Sequence, residues 1–207
     1  MEQCLGADGN NINSDTALCQ AANLSMDGTG RVKFDNGLQN LGGINTAGVD
    51  LNIAYTFDAA SISWRASLDS SFLSEYEEID QDGVATDYKG FVTGGAGAYA
   101  DIKTNFTLTA KSDNWDANYE LRYISEVDSF ACKSAPEKCY APKVDAVTYH
   151  DVSGSYYLND NLTLTGGINN LFDKQAPYYT GNNDSNTDPY TYDVLGRYFF
   201  VKANYKF

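Results

Sequence analysis

Long apolar runs are missing from this 207-residue chain: the longest, Tyr198-Phe199-Phe200-Val201, has four residues. A membrane-spanning helix needs roughly 18, so a helical membrane protein is excluded. Basic residues are outnumbered, 14 against 28 acidic, for a net charge of -14. That balance excludes a nucleic-acid partner, because neutralising phosphates takes Lys and Arg in excess. Histidine is reduced to His150, in Tyr149-His150-Asp151. No Ser/His/Asp or Cys/His arrangement with usable spacing can be assembled around it, so no catalytic residue and no enzyme activity are expected. No cofactor is expected either. Gly94-Gly95-Ala96-Gly97 lacks a following Lys-Ser/Thr and a helix, which excludes a phosphate loop. Met1-Glu2-Gln3-Cys4 has neither a basic region nor a hydrophobic stretch behind it, so it does not read as a secretory signal.

Aromatic residues are plentiful instead, with 16 Tyr and 10 Phe beside 18 Gly, a content at odds with disorder. Four cysteines fall into two local pairs, Cys4 with Cys19 and Cys132 with Cys139. Three connectivities are open in principle. The short Gly-, Asn-, Asp-, Pro- and Lys-rich loops around both pairs favour local closure, and disulfides imply an oxidising compartment.

Strict alternation recurs along the chain with almost no helical periodicity. Val49 to Phe57 is apolar at every odd position; Ile62, Trp64, Ala66 and Leu68 oppose Ser61, Ser63, Arg65, Ser67 and Asp69. Phe106, Leu108 and Ala110 follow, then Trp115 to Tyr123, apolar at odd and polar at even positions. Val152 to Leu158, Leu162 to Ile168 and Phe199 to Phe207 complete about seven strands of roughly ten residues. Short turns at 58–60, 111–114 and 159–161 alternate with long polar stretches near 76–100, 126–146 and 174–196, and a fourth covers 1–43. Short turns at one end and long loops at the other predict an all-β antiparallel meander, a partial transmembrane β-barrel. Tyr55, Phe57, Trp64, Trp115, Tyr156, Phe199 and Tyr205 near strand ends suit an aromatic girdle. A secreted β-sandwich would alternate too, but with shorter strands and no loop asymmetry. A structural or adhesive small barrel, with an eighth strand from Gly30 to Asn36, is the other alternative.

Two loops invite a binding role. Glu75, Glu77, Glu78, Asp80, Asp82 and Asp87 offer the carboxylates that Ca²⁺ prefers. They lack an EF-hand spacing, so a solvated loop is expected there and no metal site. The stretch 174–196 carries Tyr178, Tyr179, Tyr190 and Tyr192 among Asn182, Asn183, Asp184, Asn186 and Asp188. Flat rings with polar tips and adaptable amides suit a polar ligand. Packing against neighbouring loops is the competing role.

Ser153-Gly154-Ser155-Tyr156, then Leu162 through Gly167-Ile168-Asn169-Asn170-Leu171-Phe172-Asp173-Lys174 and Pro177, resembles the C-terminal motif of TonB-dependent outer-membrane receptors. Gly196-Arg197-Tyr198-Phe199 through Tyr205-Lys206-Phe207 is similar to that family's closing strand with its terminal aromatic. Asn40-Leu41-Gly42-Gly43 through Leu51 resembles another segment entering a barrel strand. Full receptors of this kind close about 22 strands around a plug. The resemblance therefore implies residues 44–207 as a C-terminal barrel segment of a longer receptor in the outer membrane of a Gram-negative bacterium, preceded by an external disulfide-bearing loop, 1–43. It further implies long loops outside the cell and TonB-energised uptake of a small nutrient: a ferric siderophore, a cobalamin or an oligosaccharide. Implied partners are outer-membrane lipid, TonB through an N-terminal part, and the barrel-assembly machinery through the strand ending at Phe207.

Overall fold

The computed structural model describes residues 25–26, 32–33, 42–80, 82–94, 97–181 and 186–207. Two compact units divide the chain, Met1–Leu41 and Gly42–Phe207. In the first, Ser25–Met26 pairs antiparallel with Val32–Lys33 in a two-stranded sheet of its own. Of the alternative eighth strand from Gly30 to Asn36, only Val32 and Lys33 are among the described residues. Cys4 and Cys19 lie outside the described residues.

The second unit is built on seven strands joined in chain order as one antiparallel meander. They are β1 (Gly43–Ala59), β2 (Ile62–Ile79), β3 (Ile102–Lys111), β4 (Trp115–Ile124), β5 (Val147–Asn159), β6 (Leu162–Asn169) and β7 (Tyr198–Tyr205). The sheet is open, with β1 and β7 at its edges, which is the expected partial barrel. Its register carries the alternation from strand to strand. Asn52, Asp69, Asn105, Arg122 and Tyr149 form one row, and Ala54, Ser67, Thr107, Glu120 and Asp151 the next. One residue out of step, Ile53, Leu68, Phe106, Leu121 and His150 form a row on the opposite face. Beside it run Tyr55, Ala66, Leu108, Tyr119, Val152, Ile168 and Phe199. The side-chain period of two thus gives one polar and one apolar face. The apolar face is uncovered, with Val201 87% exposed and Val49, Ile53, Tyr55 and Phe199 each more than half exposed. A sandwich would bury that face against a second sheet; a transmembrane barrel leaves it for hydrocarbon.

Aromatic rings gather on this face toward the short-turn end. Phe57 stacks on Trp64 at 6.3 Å and on Tyr55 at 5.8 Å, and Trp115 is the cross-strand partner of Tyr156. The first turn reduces to Ala60 and Ser61, both at positive φ (52° and 62°). This is the doubly left-handed geometry that fits the twist of a two-residue hairpin.

Strands β1 and β2 depart from expectation in length, 17 and 18 residues. At about 3.3 Å per residue, 17 residues reach about 56 Å, beyond a hydrocarbon layer of about 30 Å even when tilted. A bulge opposite Ala47 and Gly48 shifts the register. Past it, Glu75 and Glu77 lie on the face that carried apolar residues below. With water on both faces the alternation vanishes, although the ladder continues.

The long stretches are folded rather than loose. Phe91–Thr93 pairs antiparallel with Gly97–Ala98 and parallel with Val127–Ser129, which in turn pairs with Lys143–Val144. Two long loops are thereby stitched into one small four-stranded sheet. A five-residue helix, Phe130–Ser134, corrects the all-strand expectation locally. Ser129 caps it by accepting from the Cys132 N–H, and the expected Cys132–Cys139 disulfide closes the hairpin that contains it. Among the described residues, the buried apolar core lies at this end: Val92, Ala98, Ala100, Val127, Val144, Val147, Tyr149, Tyr179 and Tyr192.

Placing charge on the apolar face should be far worse than removing it from the polar one. Leu121→Arg is expected to lower the stability of the receptor barrel by about 2–4 kcal/mol near the bilayer midplane. Glu120→Gln should shift it much less. Urea midpoints of refolding into liposomes, read by gel mobility, provide the check, and equal tolerance at both positions would contradict the assignment of faces.

Candidate ligand site at the long-loop end

The segment after β6 begins with a knot around Asn170. Its backbone adopts positive φ (51°), and its side chain is almost fully buried. Asn170 Nδ2 donates to Lys174 O at 2.8 Å, and Lys174 N–H donates back to Asn170 Oδ1 at 2.7 Å. An amide can satisfy both ends of a tight turn in this way, which an aspartate cannot. The Asn170 N–H donates to Asp151 Oδ1 at 2.6 Å, and Asp173 Oδ1 accepts from the Arg197 N–H at 2.8 Å. The Asn170-to-Lys174 motif is therefore the clasp that brings the start and end of the last long loop together. Within β6, Gly167 has no room for a side chain: a Cβ there would lie 2.7 Å from the backbone oxygen of Val152.

Asp151 also belongs to the main charged junction of the polar face. Arg122 Nε lies 3.3 Å from Asp151 Oδ2, while its two terminal nitrogens grip Asp193 at 3.2 and 2.5 Å. The guanidinium sits 4.9 Å from the centroid of the buried Tyr149 ring, and Tyr149 Oη accepts from the Asp193 N–H at 3.1 Å. A bidentate guanidinium–carboxylate pair fixes orientation as well as distance. The last long loop is thus clamped onto the polar face. Between them lies a cavity of about 520 Å³ whose lining includes Glu120, Arg122, Asp151, Ser153, Asp193 and Tyr198. Three carboxylates against one guanidinium leave that lining acidic.

The four tyrosines of 174–196 separate into two kinds. Tyr179 and Tyr192 are buried in the loop core. Tyr179 Oη donates to Thr93 O at 3.3 Å, joining the last loop to the first. Burial and the nearby carboxylate of Asp188 push the Tyr192 phenol well above its ordinary range. Tyr192 also lines the cavity beside Arg122. Tyr178 and Tyr190 are 59% and 77% exposed. Tyr178 has a partner that the sequence pattern did not reveal: Tyr140, just after the disulfide, 56% exposed, lies with its ring 5.5 Å away and tilted by 39°. Tyr140 Oη donates to Asn186 Oδ1 at 3.0 Å, so two rings and an amide form one exposed group. Asn182 and Asn183 lie outside the described residues.

The acidic stretch is occupied with its own backbone. Asp80 Oδ1 accepts from the N–H groups of Asp82 and Val84, each at 2.9 Å, and Asp87 from that of Lys89 at 2.9 Å. Among the described residues no three His, Cys, Asp or Glu side chains are grouped to hold a metal ion. His150 sits on the apolar face, 2.7 Å from Tyr119 Oη through Nδ1, with Phe172 edge-on at 4.8 Å.

No family model matches the chain. A vitamin B12 transporter of Photobacterium profundum is 31% identical over 134 residues, which are 57% of this chain and 20% of that protein. The chain thus spans about a fifth of the length of this relative. Among solved structures, the ferric enterobactin receptor of Pseudomonas aeruginosa aligns with a TM-score of 0.48 and 16% identity, over 78% of this chain and 22% of that one. The copper transporter OprC aligns with a TM-score of 0.49 and 18% identity, over 89% and 25%. The motif-bearing clasp at Asn170 and the open seven-stranded wall agree with the sequence match to the transporter: the chain is similar to part of the β-barrel of TonB-dependent outer-membrane receptors.

Proposed function

We propose that this chain supplies wall and outer loops to a receptor that takes up a scarce nutrient across the outer membrane, energised through TonB. The observation that carries the reading is the inward fold of the last long loop. Asp193 is clamped by Arg122 on the polar face, while Tyr140 and Tyr178 remain exposed within the same loop assembly. In this reading the polar face lines the lumen and the long-loop end lies outside the cell, where the Cys132–Cys139 bridge persists. Outer-membrane lipid covers the apolar rows. TonB acts through the plug that such a barrel encloses, and β7 with Phe207 is offered to the barrel-assembly machinery.

Ligand capture would begin at the exposed rings. Tyrosine presents a flat apolar face and a polar tip with few rotatable bonds, so a ligand loses little binding energy to ordering the site. Asn186, held by Tyr140, adds a hydrogen-bonding group at the edge of the pair. The captured molecule is transported and not transformed. A ferric siderophore, a cobalamin and an oligosaccharide all fit such a surface. The relative that transports vitamin B12 puts cobalamin first in a ligand panel.

The exposed and buried tyrosines should separate on mutation. In the receptor that carries this chain, Tyr140→Ala with Tyr178→Ala should weaken binding of the transported ligand at least tenfold, since anchor residues often contribute about 2 kcal/mol. Assembly should be unaffected. Tyr179→Ala should lower thermal stability instead. Titration of the panel against folded receptor in detergent measures the first, and unchanged affinity in the double variant would refute the capture reading.

A further inference from the structure

The last long loop and the disulfide hairpin come from segments about 40 residues apart, and they are fastened at Thr180. Thr180 Oγ1 accepts from two successive backbone N–H groups, those of Tyr140 at 3.0 Å and Ala141 at 2.8 Å. The Thr180 N–H donates to Ala141 O at 2.9 Å, and the Thr180 carbonyl accepts from Ser129 Oγ. Ser129 stands at the other end of the same hairpin. Its Oγ accepts from the Cys132 N–H at 3.2 Å, and its N–H donates to Pro142 O at 2.7 Å. Hydroxyl, amide and carbonyl of one buried residue are therefore all engaged by a single hairpin, at both of its ends. Inside that hairpin, Cys132 and Cys139 are bridged with their Cα atoms 4.9 Å apart.

We propose that Thr180 is a positioning residue: it holds the last long loop on the Cys132–Cys139 hairpin and thereby sets Tyr178 against Tyr140. The joint and the bridge act as one unit. A five-residue helix does not stand alone in water, so without the bridge Tyr140 and Ala141 are held near Ser129 only through the base of the hairpin, where the Ser129 N–H donates to Pro142 O. The two N–H groups then meet Thr180 Oγ1 with more slack. Conversely, a residue without that oxygen leaves two amides facing an apolar side chain, a loss comparable to breaking the bridge. Tyr178 lies two residues before the joint on one side, and Tyr140 donates to it on the other. Any slack there reaches the ring pair directly.

The purpose given to the joint rests on the capture reading, but its existence can be measured without a ligand. Hydrogen exchange on the receptor in detergent would compare the native protein with Thr180→Val, Thr180→Ser, the Cys132→Ser/Cys139→Ser pair, and that pair combined with Thr180→Val. Thr180→Val and the cysteine pair should each speed exchange at 178–181 and at Tyr140 and Ala141 by roughly tenfold, the scale of one or two lost hydrogen bonds. Thr180→Ser, which keeps the oxygen, should stay within about twofold of native. The combined variant should exceed either parent only slightly, because interacting changes are not additive. Combined acceleration equal to the product of the two, or acceleration confined to 130–139 in the cysteine pair, would overturn the proposal. If Thr180→Val fails to assemble, the cysteine pair alone decides, since it must loosen 178–181 some 40 residues away. Intact ligand binding in the Tyr140/Tyr178 double variant would remove the capture reading and leave the joint standing.

Discussion

A backbone amide without a partner in hydrocarbon costs several kcal/mol, and the ladder of this sheet is the arrangement that avoids the cost. Each strand from β2 to β6 is paired on both sides in a fixed register. Because side chains alternate with a period of two, that register also decides which residues meet water. A slip of one residue between β3 and β4 would carry Glu120 and Arg122 to the face of Leu121 and Tyr119. The apolar rows and the polar rows are thus two consequences of one set of backbone hydrogen bonds. The sheet stays open at β1 and β7.

Above the ladder a different force takes over. The buried apolar core of the described residues lies among the long loops, where water surrounds the chain and the hydrophobic effect operates as in any small domain. The wall and this cap meet at Arg122. Its guanidinium lies between Asp151, which also accepts from Asn170 in the clasp, and Asp193 of the last long loop. The two carboxylates share a single cation, and the cation is held in turn over the Tyr149 ring. Removing Arg122 would leave both carboxylates without it, whereas removing either carboxylate leaves the guanidinium the other. Loop placement therefore depends on a strand residue.

The wall was legible in the sequence because it obeys a period. Trp115 to Tyr123 alternates without a break, and the seven strands and their faces follow from such segments. Reading stopped where a second solvent began. Glu75 and Glu77 continue β2 into water on both sides, so no alternation marks them as strand. The Ala60-Ser61 hairpin adopts a glycine-type conformation without glycine or asparagine, and the parallel pairing of Phe91–Thr93 with Val127–Ser129 joins two irregular loops. The site was legible by composition only. Tyr178 and Tyr179 are neighbours in sequence, yet one is exposed and the other buried, and nothing periodic in the loop separates them. Arg122 could be seen as a charge on a wet face. Its partner Asp193 lies 71 residues away, and only the fold brings the two together.

In the proposed receptor one face of this sheet meets hydrocarbon and the other water. Spin labels placed singly at positions 105 to 109 of β3, in the receptor reconstituted into lipid vesicles, test it most directly. Relaxation by oxygen, which concentrates in hydrocarbon, should dominate at 106 and 108. Relaxation by a water-soluble nickel chelate should dominate at 105, 107 and 109. Strict alternation between the two is the predicted result; equal access of the nickel chelate to all five positions would contradict the account.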